Sequence, residues 1–133
     1  MITGRCECGQ VAYEAKGPIS DFSHCHCSQC RRLHGAAFAS FAGVPRSTFR
    51  YLPGRDGVRS YASSASHSRV FCPHCGSNIM VELDSEPDEV YLAMGTMDGE
   101  LDLPPGYHIY VGSKASWHTI RDDLPQYDTE PKE

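Results

Sequence analysis

The sequence predicts a single all-β domain, mostly strand with short helical turns, and three observations lead there. Short apolar–polar alternations recur between Gly/Pro turns, long helical periodicity is missing, and seven cysteines fall in three groups that could join such strands through metal. At 133 residues the chain is the size of one domain able to bury its own core. We read residues 1–127 as that domain and residues 128–133 as a polar, frayed tail.

The elements follow in order. Residues 10–16 alternate as a strand does and stop at Gly17-Pro18, and residues 38–44 stop at Pro45. Further strands are expected at 48–52 before Pro53-Gly54, at 58–61, at 68–71 running into a cysteine pair, and at 77–83 and 89–94. Residues 98–106 read as loop, with Asp98 making a turn, and 108–111 as an isolated short strand. Residues 28–34 suit one or two helical turns after a Ser cap, closed by Gly35, and 119–123 suit another short helical piece. Trp117, the single tryptophan, is expected to anchor the core.

No apolar run precedes the first cysteine, and no stretch approaches the roughly 18 to 20 apolar residues of a membrane span. A soluble, cytoplasmic protein with no membrane partner is the expectation. In a reducing compartment, seven cysteines point to metal or catalysis, and an odd number cannot pair completely into disulfides. Charge is uneven. Residues 1–81 carry nine Lys/Arg against four Asp/Glu, and residues 82–133 three against thirteen. All seven cysteines lie in the basic part, where Arg5, Arg31, Arg32 and Arg69 offset thiolate charge. The acidic second half argues against nucleic acid as a partner.

Cys6-Glu7-Cys8-Gly9 and Cys72-Pro73-His74-Cys75-Gly76 each end in a glycine that can turn backbone N–H groups back onto sulfur. Two such knuckles supply the four thiolates of a closed, structural Zn²⁺ site. An iron–sulfur cluster takes the same ligand count, and a redox C-x-x-C needs a βαβ setting that this sequence lacks.

The middle group, Cys25-x-Cys27-x-x-Cys30, has no eighth cysteine to complete it. Its fourth ligand is one of His24, His26 or His34, or the position is left open to water or substrate, as in catalytic zinc. A metal-free group of buried or reactive thiols is the remaining alternative. His26 sits between two ligand candidates, so its ring is expected to point away from their ion. The other histidines, His67, His74, His108 and His118, are read as surface or hydrogen-bonded residues.

The stretches GRCECGQVAYEA, HCHCSQCRRLHGAAF, FCPHCGSNI, GTMDG and SKASWHTIRDDLPQY carry a further likeness. In this order, from Gly4 to about Tyr127, the chain resembles the glutathione-dependent formaldehyde-activating enzyme family, which includes centromere protein V. That resemblance implies a mostly β, zinc-bound fold of the Mss4-like kind with two Zn²⁺ per chain. Cys6, Cys8, Cys72 and Cys75 would hold the structural ion, and Cys25, Cys27 and Cys30 the catalytic one. It further implies carbon–sulfur lyase chemistry on a small-molecule thiol and aldehyde, glutathione and formaldehyde giving S-hydroxymethylglutathione.

An open zinc position could keep a substrate thiol as thiolate or polarise a carbonyl. Three thiolates leave the site at net −1, which weakens its Lewis acidity and favours thiol binding. Glutathione is anionic, so Arg31 and Arg32, beside the last ligand, are the expected substrate contacts, with His34 near them. The rival from another class is a non-catalytic zinc module that binds a protein, with a closed fourth ligand and an exposed apolar patch.

Overall fold

Alternation along the strands decides what each face of the main sheet meets. The computed structural model describes residues 1–54 and 57–131. Strands β1 (Ile2–Arg5), β2 (Ala12–Ala15) and β5 (Arg50–Tyr51) form a small antiparallel sheet in the order β1-β2-β5. The larger sheet takes β3 (Asp21–Cys25), β4 (Ala39–Pro45), β6 (Arg59–Ala62), β7 (His67–Phe71), β8 (Asn78–Leu83), β9 (Glu89–Ala93) and β10 (Tyr107–Ile109). Its order is β10-β3-β4-β9-β8-β7-β6, antiparallel throughout except for β10 beside β3.

Because side chains alternate across a strand, one residue set meets the small sheet and its complement faces away. Ala42, Val44, Val70, Met80, Val90 and Leu92 pack with Val11, Tyr13 and Ala15 into the main core. Fully burying each larger apolar side chain stabilises by about 1.5–3 kcal/mol. Their strand neighbours Phe41, Val81 and Ala93 join Cys25 and Cys30 in a second cluster on the opposite face. The mostly β class expected from the sequence is the class observed.

Helix α1 (Ser28–His34) forms where expected, closed by Gly35 in the left-handed region. Its cap differs: Cys27, not Ser28, is the N-cap residue, and the Cys27 sulfur accepts from the Cys30 N–H. Strands β1 and β3 were not expected. The β1 segment is a sheet edge with little apolar patterning, and the β3 segment, Asp-Phe-Ser-His-Cys, carries polar side chains on both faces.

β10 is not isolated, since it pairs in parallel with β3. No helix forms at 119–123, where the Asp122 carboxylate instead accepts the Leu124 N–H at 3.0 Å, a local bond that competes with helix. Trp117 is 72% exposed and does not anchor the core, while Ala115 takes the buried position in that segment. The tail is tied down as far as Thr129, whose carbonyl accepts the Tyr110 N–H. Lys132 and Glu133 lie outside the described residues.

Candidate metal centres and the cavity beside one of them

The two knuckles are built alike. Each is closed at its base by a backbone bond five residues long, Cys6 N–H to Val11 carbonyl and Cys72 N–H to Ser77 carbonyl, both 2.9 Å. Gly9 (φ 82°) and Gly76 (φ 80°) turn the chain through the left-handed region. N–H groups then reach sulfur, as the Val11 N–H does at Cys6 Sγ, 3.3 Å. The Glu7 N–H donates to Ser77 Oγ at 3.1 Å and joins the knuckles.

The four sulfurs of Cys6, Cys8, Cys72 and Cys75 lie within 4.8 Å of one another. Four ligands at Zn–S bonds of about 2.3 Å in a tetrahedron sit about 3.8 Å apart. Cys6 and Cys8 are 3.7 Å apart and Cys8 and Cys72 3.8 Å, so the donor set fits a closed tetrahedral ion.

The second group has a different origin. β3 delivers Cys25 at its end, Cys27 caps α1, and Cys30 follows one helical turn later on the same side. These three sulfurs also lie within 4.8 Å of one another, and no histidine or carboxylate among the described residues joins them. Crowded sulfurs resist full ionisation without a cation. Contacts with the Cys25 and Cys30 sulfurs hold the Cys27 thiol down at about 2, and the Cys27 and Cys30 sulfurs push Cys25 far up. One thiolate is tolerated and three are not, which is the condition a divalent ion relieves.

This group opens onto a cavity of about 560 Å³. The outward face of the large sheet forms its floor by strict alternation: Asp21, Ser23 and Cys25 on β3, Tyr107 and Ile109 on β10, Val81 and Leu83 on β8, His67 and Arg69 on β7. Arg69 is 6% exposed. Its Nη1 donates to Cys30 Sγ at 3.4 Å, its Nε to Ser63 Oγ at 3.1 Å and its Nη2 to Gln29 Oε1 at 3.5 Å. The sequence had marked Arg69 only as an offset for thiolate charge. Its odd-numbered place on β7, two residues from His67, is the signal that puts it on the floor.

The other expected substrate contacts lie elsewhere. Arg31, whose buried Nε has no partner among the described residues, and the exposed Arg32 do not line this cavity. His34 stacks edge-on against Phe41 and lines a separate hollow beside Cys75. The reason is helical: Arg31, Arg32 and His34 follow Cys30 around α1, and only the Cys27–Cys30 side turns inward.

His26 does turn away from the sulfurs. Its buried ring meets His108, Nε2 to Nδ1 at 2.8 Å, and His108 Nε2 bonds the Asp122 carboxylate at 3.0 Å. Burial and the neighbouring His108 lower His26 to about 4, so it is neutral at neutral pH. His24 lies on the same side, its Nδ1 2.7 Å from Ser40 Oγ.

These features define a cysteine-rich β domain with one four-sulfur and one three-sulfur cluster, the smaller one facing a cavity. The chain belongs to the glutathione-dependent formaldehyde-activating enzyme family, whose model matches residues 1–113. An uncharacterized lyase of Schizosaccharomyces pombe is 29% identical over 76 residues, which is 57% of this chain and 53% of that protein. The chain thus spans about half the length of that curated relative. A crystal structure of a Rhodobacter sphaeroides protein superposes with a TM-score of 0.61 at 27% identity, covering 74% of this chain and 89% of that one. Among the described residues, no helix is long and apolar enough to cross a membrane.

Proposed function

We propose that this chain is a zinc-dependent enzyme of the carbon–sulfur lyase type, forming or cleaving the adduct between a small aldehyde such as formaldehyde and a small thiol such as glutathione. The observation that carries this reading is the three-sulfur cluster opening onto a cavity, beside a four-sulfur cluster that is complete. Family membership and the lyase name of the yeast relative support it. Cys6, Cys8, Cys72 and Cys75 would hold a structural ion, and Cys25, Cys27 and Cys30 a second one facing substrate. Zinc bound there supplies a positive centre that favours the anionic form of a nearby sulfur.

In the forming direction a sulfur lone pair makes the C–S bond, the carbonyl π pair moves to oxygen, and the thiol proton ends on that oxygen. The chain's own part is positional. Cys25 and the floor residues Phe41 and Ile109 bound the sulfur end of the cavity, and Arg69 stands there beside Cys30, facing an incoming thiolate. Arg69, and not Arg31, Arg32 or His34, is the basic side chain beside the sulfur cluster in this cavity. The partners are small molecules, with neither nucleic acid nor membrane among them, in a cytoplasmic setting.

The test is NMR exchange of labelled formaldehyde with glutathione and with 2-mercaptoethanol, using zinc-loaded wild type and Cys27→Ser. Acceleration above the spontaneous rate with either thiol, lost in Cys27→Ser, is the expected result. A wild-type rate equal to the spontaneous one with both thiols would remove the reading.

A further inference from the structure

We propose that the cavity selects its thiol by the charge of the tail, with Arg69 receiving the anionic sulfur end. The inference rests on the thiol–aldehyde reading and adds the class of thiol: one whose tail is uncharged or positive.

Arg69 is the single lysine or arginine among the described residues that line the cavity. It is nearly fully buried and already committed to the sulfur side, with one N–H on Cys30 Sγ and others on Ser63 and Gln29. Of its five N–H groups, one on each terminal nitrogen remains for an incoming anion. His67, the other basic group, has Nδ1 held by Ser66 Oγ at 2.8 Å.

The opposite wall has the other sign. Asp21, Glu86 and Glu130 line it. Register places Asp21, Gly43, Tyr91, Val81 and Arg69 in one row across β3-β4-β9-β8-β7. Four strand spacings put Asp21 and Arg69 about 19 Å apart at the backbone. Asp21 is also four residues before Cys25 on β3, about 13 Å away along the strand.

Two hydroxyl donors on that wall are already given to its carboxylates. Tyr107 donates to Asp21 at 2.5 Å and Tyr91 to Glu86 at 2.7 Å. A carboxylate tail therefore meets three carboxyl groups and, His67 Nε2 apart, no basic group free of the sulfur end, whereas a cationic tail meets carboxylates and tyrosine rings. Glutathione, with two carboxylates and one ammonium, is on the disfavoured side of this balance.

The experiment uses three matched six-carbon thiols ending in trimethylammonium, hydroxyl or carboxylate, with glutathione as a fourth. Binding to the zinc-loaded protein is read by calorimetry, and formaldehyde exchange by NMR. The expected order is trimethylammonium, then hydroxyl, then carboxylate, the last roughly tenfold weaker than the first, with glutathione near the last. The surface change Glu86→Lys with Glu130→Lys, which leaves the core untouched, is expected to reverse the order.

Arg69→Gln is expected to weaken all three thiols alike without reordering them, and Arg69→Lys to restore part of the affinity. Equal binding of the three tails, or an unchanged order in the double lysine variant, overturns the tail selectivity while leaving thiol chemistry standing. Failure of every thiol to bind or exchange overturns the thiol reading itself, and this inference with it.

Discussion

The closed cluster gathers its sulfurs from two knuckles, with Cys8 and Cys72 64 residues apart, one after β1 and the other after β7 of a different sheet. The open cluster takes all three of its sulfurs from the six positions between the end of β3 and the first turn of α1. A cation in the first would crosslink two sheets; a cation in the second would organise only a loop. The difference teaches that ligand count and chain separation act together: the widely separated set is complete, and the local set leaves a side open to the cavity.

The largest expected effect breaks this contrast at the closed site. Cys72 is fully buried, and structural zinc contributes on the order of 10–16 kcal/mol in small zinc folds, comparable with the whole stability of a domain. Cys72→Ala is expected to abolish cooperative folding, measured by circular dichroism and thermal melting. Next comes Cys27→Ser, which removes a thiolate of the open cluster but leaves a good N-cap residue on α1. That variant is expected to lose one metal equivalent and formaldehyde–thiol exchange while its stability changes by about 1 kcal/mol or less. Similar unfolding in both variants would erase the distinction between the sites.

How far the site was legible follows from which residues declare themselves by spacing. The cysteine groups and their glycines read directly because metal ligation demands short, fixed intervals. β3 did not, since a strand lining a polar cavity on one face and packing histidine and phenylalanine on the other shows no apolar alternation. Arg69 was legible only once β7 had a direction, because its place on the floor depends on register, a non-local property. Arg31 and Arg32 looked suitable through adjacency to Cys30, but three consecutive helical residues point three ways. Trp117 misled for a related reason: a large aromatic ring predicts burial on average, while this one sits with Phe38 and His118 at an outer hollow.

A gentler prediction sharpens the comparison through protons. Thiolates must stay deprotonated to hold metal, so falling pH favours release at both sites. With three protein ligands in place of four, the open cluster is expected to release its ion first as pH falls, and first to a chelator at fixed pH. Metal-sensitive dye titration checks this; simultaneous release of both ions would contradict it. The smallest effect is at the knuckle glycines. A Cβ at Gly76 meets nothing within 4 Å, so Gly76→Ala carries only the left-handed backbone penalty, about 1–2 kcal/mol. A melting temperature lower by roughly 4–8 °C, with the metal content unchanged, is expected.

The most direct measurement of the central claim is the visible absorption of the Co²⁺-loaded protein during titration with an exogenous thiol. A closed site and an open site should respond unequally: sulfur-to-cobalt bands are expected to grow and saturate for one of two bound ions. In Cys27→Ser the remaining ion is expected to ignore the thiol. Two ions that both fail to respond in wild type, or a response that persists undiminished in Cys27→Ser, would contradict an open thiolate cluster as the place where substrate sulfur is received.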